Sequence, residues 1–488
     1  MSQRNLLSGR DRQLKELADA YEASLHEGHS FYADADDLAD LADWYAMHQQ
    51  GARAFEVEAY GLKLHPGNTA LLVELSYLYL DDGQLEKAEE TADLIEEASL
   101  PEVVILRANL LNERGKWEEA DSQIDSIADK DDLYNIVEIA YAYVDSDRLD
   151  KAQVWIERGK ALYPDEPSLL CVVADYHVAR GEWEEAARCY NTLIDTNPYS
   201  ANYWHSLAKA YMGMNQPGQA VEACDYALVS EEQNGAIYLT QGMAYIELGN
   251  LEKANECFET AHRYGAVSLG FVRVQQGQTY LANGQWEEAL QCFSEVLHNR
   301  LMQTDVVLSF CYLEVAFCLC MLQRDADLCD EYIHKAMQMH DDYEDMNLVL
   351  AAIIRMCQGQ ADQAKEYWSR ALQYMSAPDL CYYTADLCLQ YGLIPLAHQA
   401  LQMLYQIDPD YENLKERMAS LSLVVGDKAA FEQFNSLCSH PLSPHAADAI
   451  RSKVQAGCTP HEAYGYAMRL YLPLDDSSTE APIQSYEP

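Results

Sequence analysis

Three stretches of this chain are near-copies of one another: GKWEEADSQI from Gly115, GEWEEAARCY from Gly181 and GQWEEALQCF from Gly284. A chain that restates itself is built as an array, because each copy meets the same local physics and folds the same way. The first two copies lie 66 residues apart and the last two 103, close to two and three lengths of a unit of about 34 residues. Intermediate units are therefore expected, and residues 167–200 show what one contains. Leu170, Val173, Ala174 and His177 fall on one helical face. Gly181 breaks that helix. Trp183, Ala186, Tyr190 and Leu193 then mark a second apolar face, which Pro198 ends.

The same helix–turn–helix pattern recurs on both sides. Residues 201–234 carry Trp204, Leu207, Ala208 and Tyr211, then Ala220, Cys224 and Ala227. Residues 235–268 carry Tyr238, Gly242, Tyr245, Gly249, Ala254 and Phe258, and residues 270–303 carry Gly277, Tyr280, Gly284, Trp286, Ala289 and Phe293. These residues resemble the tetratricopeptide repeat (TPR) family, whose pattern W-x2-L-G-x2-Y, A-x3-F, P is met almost in full by Trp204-Leu207-Ala208-Tyr211 and by Ala289-x3-Phe293. About eleven units fit between residues 35 and 437. Two depart from the pattern: Arg324 stands for the turn glycine in 310–343, and Phe431 for the small residue in 412–437.

The resemblance implies an all-α fold, a right-handed α-solenoid (superhelix) of stacked units with a concave groove lined by the first helix of each. Flanking the array at 35–437, residues 1–34 are expected to hold an N-terminal capping helix. Residues 438–474 read as a C-terminal helical cap and 475–488 as a disordered acidic tail.

In the repeated motif the Glu-Glu pair could be mistaken for acid–base machinery. Adjacent helical residues point about 100° apart and cannot converge on one substrate atom. In the first turn of a helix they instead face the positive end of the dipole. The Trp before them is expected to cover the core between the two helices of its unit.

Lys and Arg number 33 against 79 Asp and Glu, a formal charge of −46. That balance repels phosphate backbones and anionic membranes, which argues against nucleic-acid and membrane partners and for neutral, apolar or basic protein ones. The 14 cysteines form no Cys-x-x-Cys pair; reduced thiols and a cytoplasmic location are the simpler reading. No apolar run approaches the ~18 residues of a membrane span. DADDLADLAD from Asp34 resembles a calcium loop but has Ala39 where the sharp turn needs Gly and Tyr45 where a bidentate Glu belongs. No HExxH, phosphate loop or nucleophile elbow occurs, so no metal, no cofactor and no enzyme activity are expected.

Some TPR proteins grip a chaperone's C-terminal carboxylate with Lys, Asn and Arg on successive first helices. Lys209 and Asn109 alone stand near those places, in non-adjacent units, so that clamp is not expected here. Mapping outward positions of the first helices gives Val137, Tyr141, Asp175, His205 and Lys209, and then an apolar series: Leu239, Met243, Ile246, Phe271, Val274, Cys311, Cys318, Met346, Val349, Ile353 and Met356. Soft, Met-rich surfaces adapt to varied partners. The expectation is an interaction scaffold that docks an apolar or amphipathic protein segment. The alternatives are a regulator that senses a peptide or small ligand, a surface filled by the C-terminal segment, or a homodimer contact.

Overall fold

The computed structural model describes residues 11–27, 31–48, 50–303, 306–339, 343–455, 458 and 460–471. Every regular element among them is helical: 27 α-helices and one 3-10 turn, Arg300–Met302. The chain forms two compact units. The first runs through residue 248 and includes Thr260–Ala266; the second holds Gly249–Glu259 and the chain from Val267 on. The helix Leu251–Arg263 is thereby divided between them.

In the first unit the helix Asp11–Glu27 lies against Ala35–Met47. Consecutive helices then pack in pairs: Ala35–Met47 with Gly51–Leu64, Thr69–Asp81 with Leu85–Ala92, Pro101–Glu113 with Trp117–Asp125, Leu133–Asp145 with Leu149–Leu162, Pro167–Ala179 with Trp183–Thr196, and Ala201–Gly213 with Pro217–Ser230. In the second unit the pairs begin at Leu269–Ala282 with Trp286–His298 and continue to Leu414–Val425 with Lys428–Asn435. The last of these second helices, where Phe431 stands, is only eight residues long. The helices Pro444–Gln455 and Pro460–Tyr471 both pack on Leu414–Val425, and Tyr471 donates a hydrogen bond to Asn435 at 2.7 Å. The acidic tail expected at 475–488 lies outside the described residues.

The turn between paired helices has one stereotyped feature. One residue past the end of the first helix at Gly426, and two residues past it at Gly83, Gly115, Gly181, Gly249, Gly284, Gly359 and Gly392, the backbone enters the left-handed region, where glycine has no Cβ penalty. Asp147, Asn215 and Gln323 take the same position with φ of 55°, 55° and 53°. The substituted turn in the 310–343 unit is therefore at Gln323 and not at Arg324, which follows it and pairs with Glu287 at 2.8 Å.

The motif tryptophans reach forward rather than closing their own pair. A Cβ at Gly213, on the first helix of the next pair, would fall 2.3–2.6 Å from the Trp183 ring. Trp286 meets Phe317 edge-on with ring centroids 5.8 Å apart. Trp117, 44% exposed, lies under the Arg148 guanidinium at 5.5 Å. Each contact spans about thirty residues, one repeat, so the motif joins neighbouring units. Its glutamates stay at the helix starts on the surface, with Glu185 paired to Arg188 at 2.7 Å. Replacing Gly213 by alanine is expected to destabilise the first unit by about 1–3 kcal/mol, because the ring must shift; urea unfolding followed by tryptophan fluorescence measures it.

Candidate functional site

Within the first unit, first helices of successive pairs touch one another as well as their own partners. Counting from the first residue of each helix, the ninth positions are Asp43, Tyr77, Asn109, Tyr141, Asp175, Lys209 and Met243. They form a ladder from helix to helix. Asn109 donates to the Tyr77 hydroxyl at 3.2 Å. Asp175 accepts from Tyr190 at 2.5 Å. Burial raises the Asp175 pKa, and the Tyr190 bond, the Tyr141 hydroxyl and the charge of Lys209 hold it partly down. Lys209 reaches solvent, yet protein around it lowers its pKa, an effect that Asp175 partly offsets. His205, 8% exposed and 2.9 Å from the Thr240 hydroxyl, is pushed down to about 3 by burial and is neutral at physiological pH.

Carboxylates flank this ladder. The sixth positions include Asp40, Glu74 and Glu138, and the thirteenth include Asp81, Glu113, Asp145 and Glu247. Counted over these seven first helices there are twelve Asp and Glu, with Arg107 and Lys209 as the only Lys or Arg. The unit's other basic residues sit largely on or beside second helices. There Arg53 pairs with Glu56 at 2.5 Å, Arg148 with Asp121 at 2.7 Å and Lys160 with Glu157 at 3.3 Å. Sequence mapping found Tyr141, Asp175, His205 and Lys209 but not this acidic register. The signal was present: charges at fixed offsets from each turn residue, visible once the repeats are aligned.

The apolar series is divided. Leu239, Met243 and Ile246 belong to the first unit, where Met243 is 46% exposed and the other two half-buried. The rest belong to the second unit. Phe271, Met346 and Met356 are half-buried, whereas Val274, Cys311, Cys318, Val349 and Ile353 are buried in one continuous core. Those five are core residues and not an open surface. Burial also keeps the thiols protonated, raising Cys311 to about 12.

The reason is a direct contact that sequence spacing does not reveal. Helices Leu308–Met321 and Glu344–Cys357 each bury nine of their 14 residues. Tyr391, at the end of Ala377–Gln390, stacks on Phe317 with centroids 4.5 Å apart and donates to Glu314 Oε1 at 2.5 Å. Side chains from first helices two repeats apart thus meet, and the face between them is filled. Glu314 is fully buried, its Oε2 has no hydrogen-bond partner, and burial raises its pKa to about 8 despite the Tyr391 bond.

Family models described as Tetratricopeptide repeat match residues 173–236 and 235–262. This is a tetratricopeptide repeat protein. The TPR chain is 26% identical over 115 residues to RNA polymerase II-associated protein 3 of Xenopus laevis, a stretch covering 24% of this chain and 16% of that protein. Among solved structures it is similar to a TPR protein from Parabacteroides merdae (17% identity, TM-score 0.34, covering 49% of this chain and 96% of that one). It is also similar to a thermophilic TPR protein of Thermus thermophilus (19%, TM-score 0.29, covering 43% and 100%). At the ninth position of the first helices the residue differs from repeat to repeat, from Asp43 through Tyr77, Asn109, Tyr141, Asp175 and Lys209 to Met243. Among the described residues no helix is long and apolar enough to cross a membrane.

Proposed function

We propose that this TPR protein is a non-catalytic scaffold that holds other proteins on the first-helix faces of its repeats. The observation that carries the reading is the contrast within each repeat. The motif on the turn and second helix is spent on joining units, as the Trp183 and Trp286 contacts show, while the first helices carry a different residue at their ninth position in almost every repeat. The apolar share of the surface comes from Met243 with Leu239 and Ile246 in the first unit, and from the half-buried Phe271, Met346 and Met356 in the second. Met243 is the most accessible of these, and truncating an anchor at the centre of an interface typically removes about 2 kcal/mol or more of binding.

The test is affinity capture from native lysate with mass spectrometry, comparing the natural chain with Met243→Glu. Captured proteins that fall at least about tenfold in the variant, with melting unchanged, support the scaffold reading. A chain that captures no protein reproducibly refutes it.

A further inference from the structure

Helix packing in the first unit runs between pairs that are neighbours in sequence, yet one polar contact joins the first pair to the sixth. His48, which ends Ala35–Met47, places Nε2 3.2 Å from Oε2 of Glu231, the residue that ends Pro217–Ser230. Both partners are held from behind. The His48 ring lies on the Trp44 indole with centroids 3.9 Å apart, and its Nδ1 is 2.7 Å from the Trp44 carbonyl oxygen. Glu231 Oε2 accepts from Asn234 Nδ2 at 2.8 Å, and Asn234 in turn caps the helix Gly235–Glu247. The two side chains are only 10% and 17% exposed, so salt screens the pair weakly.

Both ring nitrogens face acceptors. A neutral imidazole carries one N–H and satisfies one of them, whereas an imidazolium donates to both, and its bond to a carboxylate is charge-assisted. Burial works to raise the Glu231 pKa, but the His48 contact, the Asn234 bond and the charge of Lys15 on the helix Asp11–Glu27 bring it below the usual carboxylate value. Glu231 is therefore charged at neutral pH, and the ring is the member of the pair that titrates there. Other charges sit on the elements around the pair. Glu22 of Asp11–Glu27 is taken by Arg53 of Gly51–Leu64 at 3.0 Å and by the Tyr45 hydroxyl at 3.2 Å, and Arg53 also holds Glu56 at 2.5 Å. Asp225 of Pro217–Ser230 accepts from Gln241 at 2.7 Å. Glu232 beside Glu231 is exposed, Asp43 lies on the histidine's own helix, and Thr69–Asp81 brings Glu74 and Asp81.

We propose that His48 and Glu231 form a proton-dependent clasp: the charged ring ties the first helix pair to the sixth and closes the first unit, and loss of its proton as pH rises releases them. The closed chain holds a proton that the open chain gives up. Closure is therefore favoured below the range in which histidine titrates, ~6.5, and fades above it. On the acid side it is lost only when Glu231 itself is protonated, below the usual carboxylate value. The curvature of a repeat array is the sum of small rotations between neighbours, so a contact between distant pairs fixes what the neighbours leave adjustable. The clasp is a property of the free chain and does not rest on the scaffold reading. Where that reading holds, releasing the clasp changes the spacing of the first-helix faces offered to a partner.

Hydrogen exchange of the full chain, read by mass spectrometry as protection factors at pH 6 and pH 8, tests it. Peptides covering Trp44–His48 and Glu231–Asn234 should both lose protection at least about fivefold at the higher pH. His48→Gln and Glu231→Gln should each abolish that step, and each should loosen the opposite end: H48Q the peptide around Glu231, E231Q the peptide around His48. A merely local contribution to folding would not cross from the first pair to the sixth. His65→Gln should leave the step intact, because that ring, in the same unit, sits on the Ala33 carbonyl oxygen at 3.0 Å. A natural chain with no pH step, a step that survives H48Q or E231Q, or a step lost in H65Q overturns the proposal. So does loosening confined to the substituted end. Should H48Q unfold, the pH step and the response at Trp44–His48 in E231Q decide alone.

Discussion

Replacing Glu314 by glutamine is expected to stabilise the second unit at pH 7–8 and to change it little near pH 4. An ordinary glutamate ionises near 4.5, and burial raises this one to about 8 in the folded protein. Below the ordinary value both folded and unfolded chains hold the proton, and there is no penalty. Between about 4.5 and 8 the unfolded chain releases it while the folded chain keeps it, so stability falls as pH rises, reaching the full penalty above the folded value. At about 1.4 kcal/mol per unit, the gain from glutamine is on the order of 2–4 kcal/mol at neutral pH. The amide oxygen can still accept the Tyr391 hydroxyl. The thiols near Glu314, Cys311 and Cys318, are held protonated by burial and add no slope in this window. Urea unfolding of both forms at pH 4, 6 and 8 tests it: parallel curves at all three would show that Glu314 is not the group that titrates.

Truncating Phe293 to alanine should produce the largest loss in the second unit. Phe293 is 0% exposed, and its ring fills the space over Gly277, where an added Cβ would lie 2.6–2.9 Å from the ring atoms. Removing a fully buried ring costs about 3–5 kcal/mol. Gly277→Ala alone should cost about 1–3 kcal/mol by overpacking. Because the two side chains compete for one volume, the double variant should be more stable than the sum of the two losses predicts, by about 0.5 kcal/mol or more. Strict additivity in a double-mutant cycle would show that the ring is not seated on that glycine.

Much of the fold was legible before any coordinates. The recurrence of Gly115, Gly181 and Gly284 located turns that all adopt positive φ, and the small residues Ala174, Ala186 and Ala254 mark positions that are 0% exposed. These are local matters: a turn needs a residue that tolerates its backbone, and a close approach needs a side chain that stays out of the way. The candidate surface was legible only in part. Cys311, Cys318, Val349 and Ile353 occupy helical positions that could face outward, and nothing in their own repeats says that Tyr391 and its neighbours close over them. Gln323 was passed over for Arg324 because a glutamine carries no turn signature of its own. His48 was missed for a different reason, since nothing local to a helix end shows that Glu231 of the sixth pair meets it.

The sequence by itself determined the repeat, its length, its two-helix make-up and the family, because those follow from periodicity and from the backbone demands of single residues. Only the tertiary structure decided which first-helix faces remain surfaces. That depends on which side chains from units two or more repeats apart come into contact, and such contacts are set by how the units pack, which no single repeat encodes. In the second unit that packing turns an apolar face into core around Glu314 and Tyr391. In the first unit it leaves Met243 as the most accessible of the apolar first-helix residues.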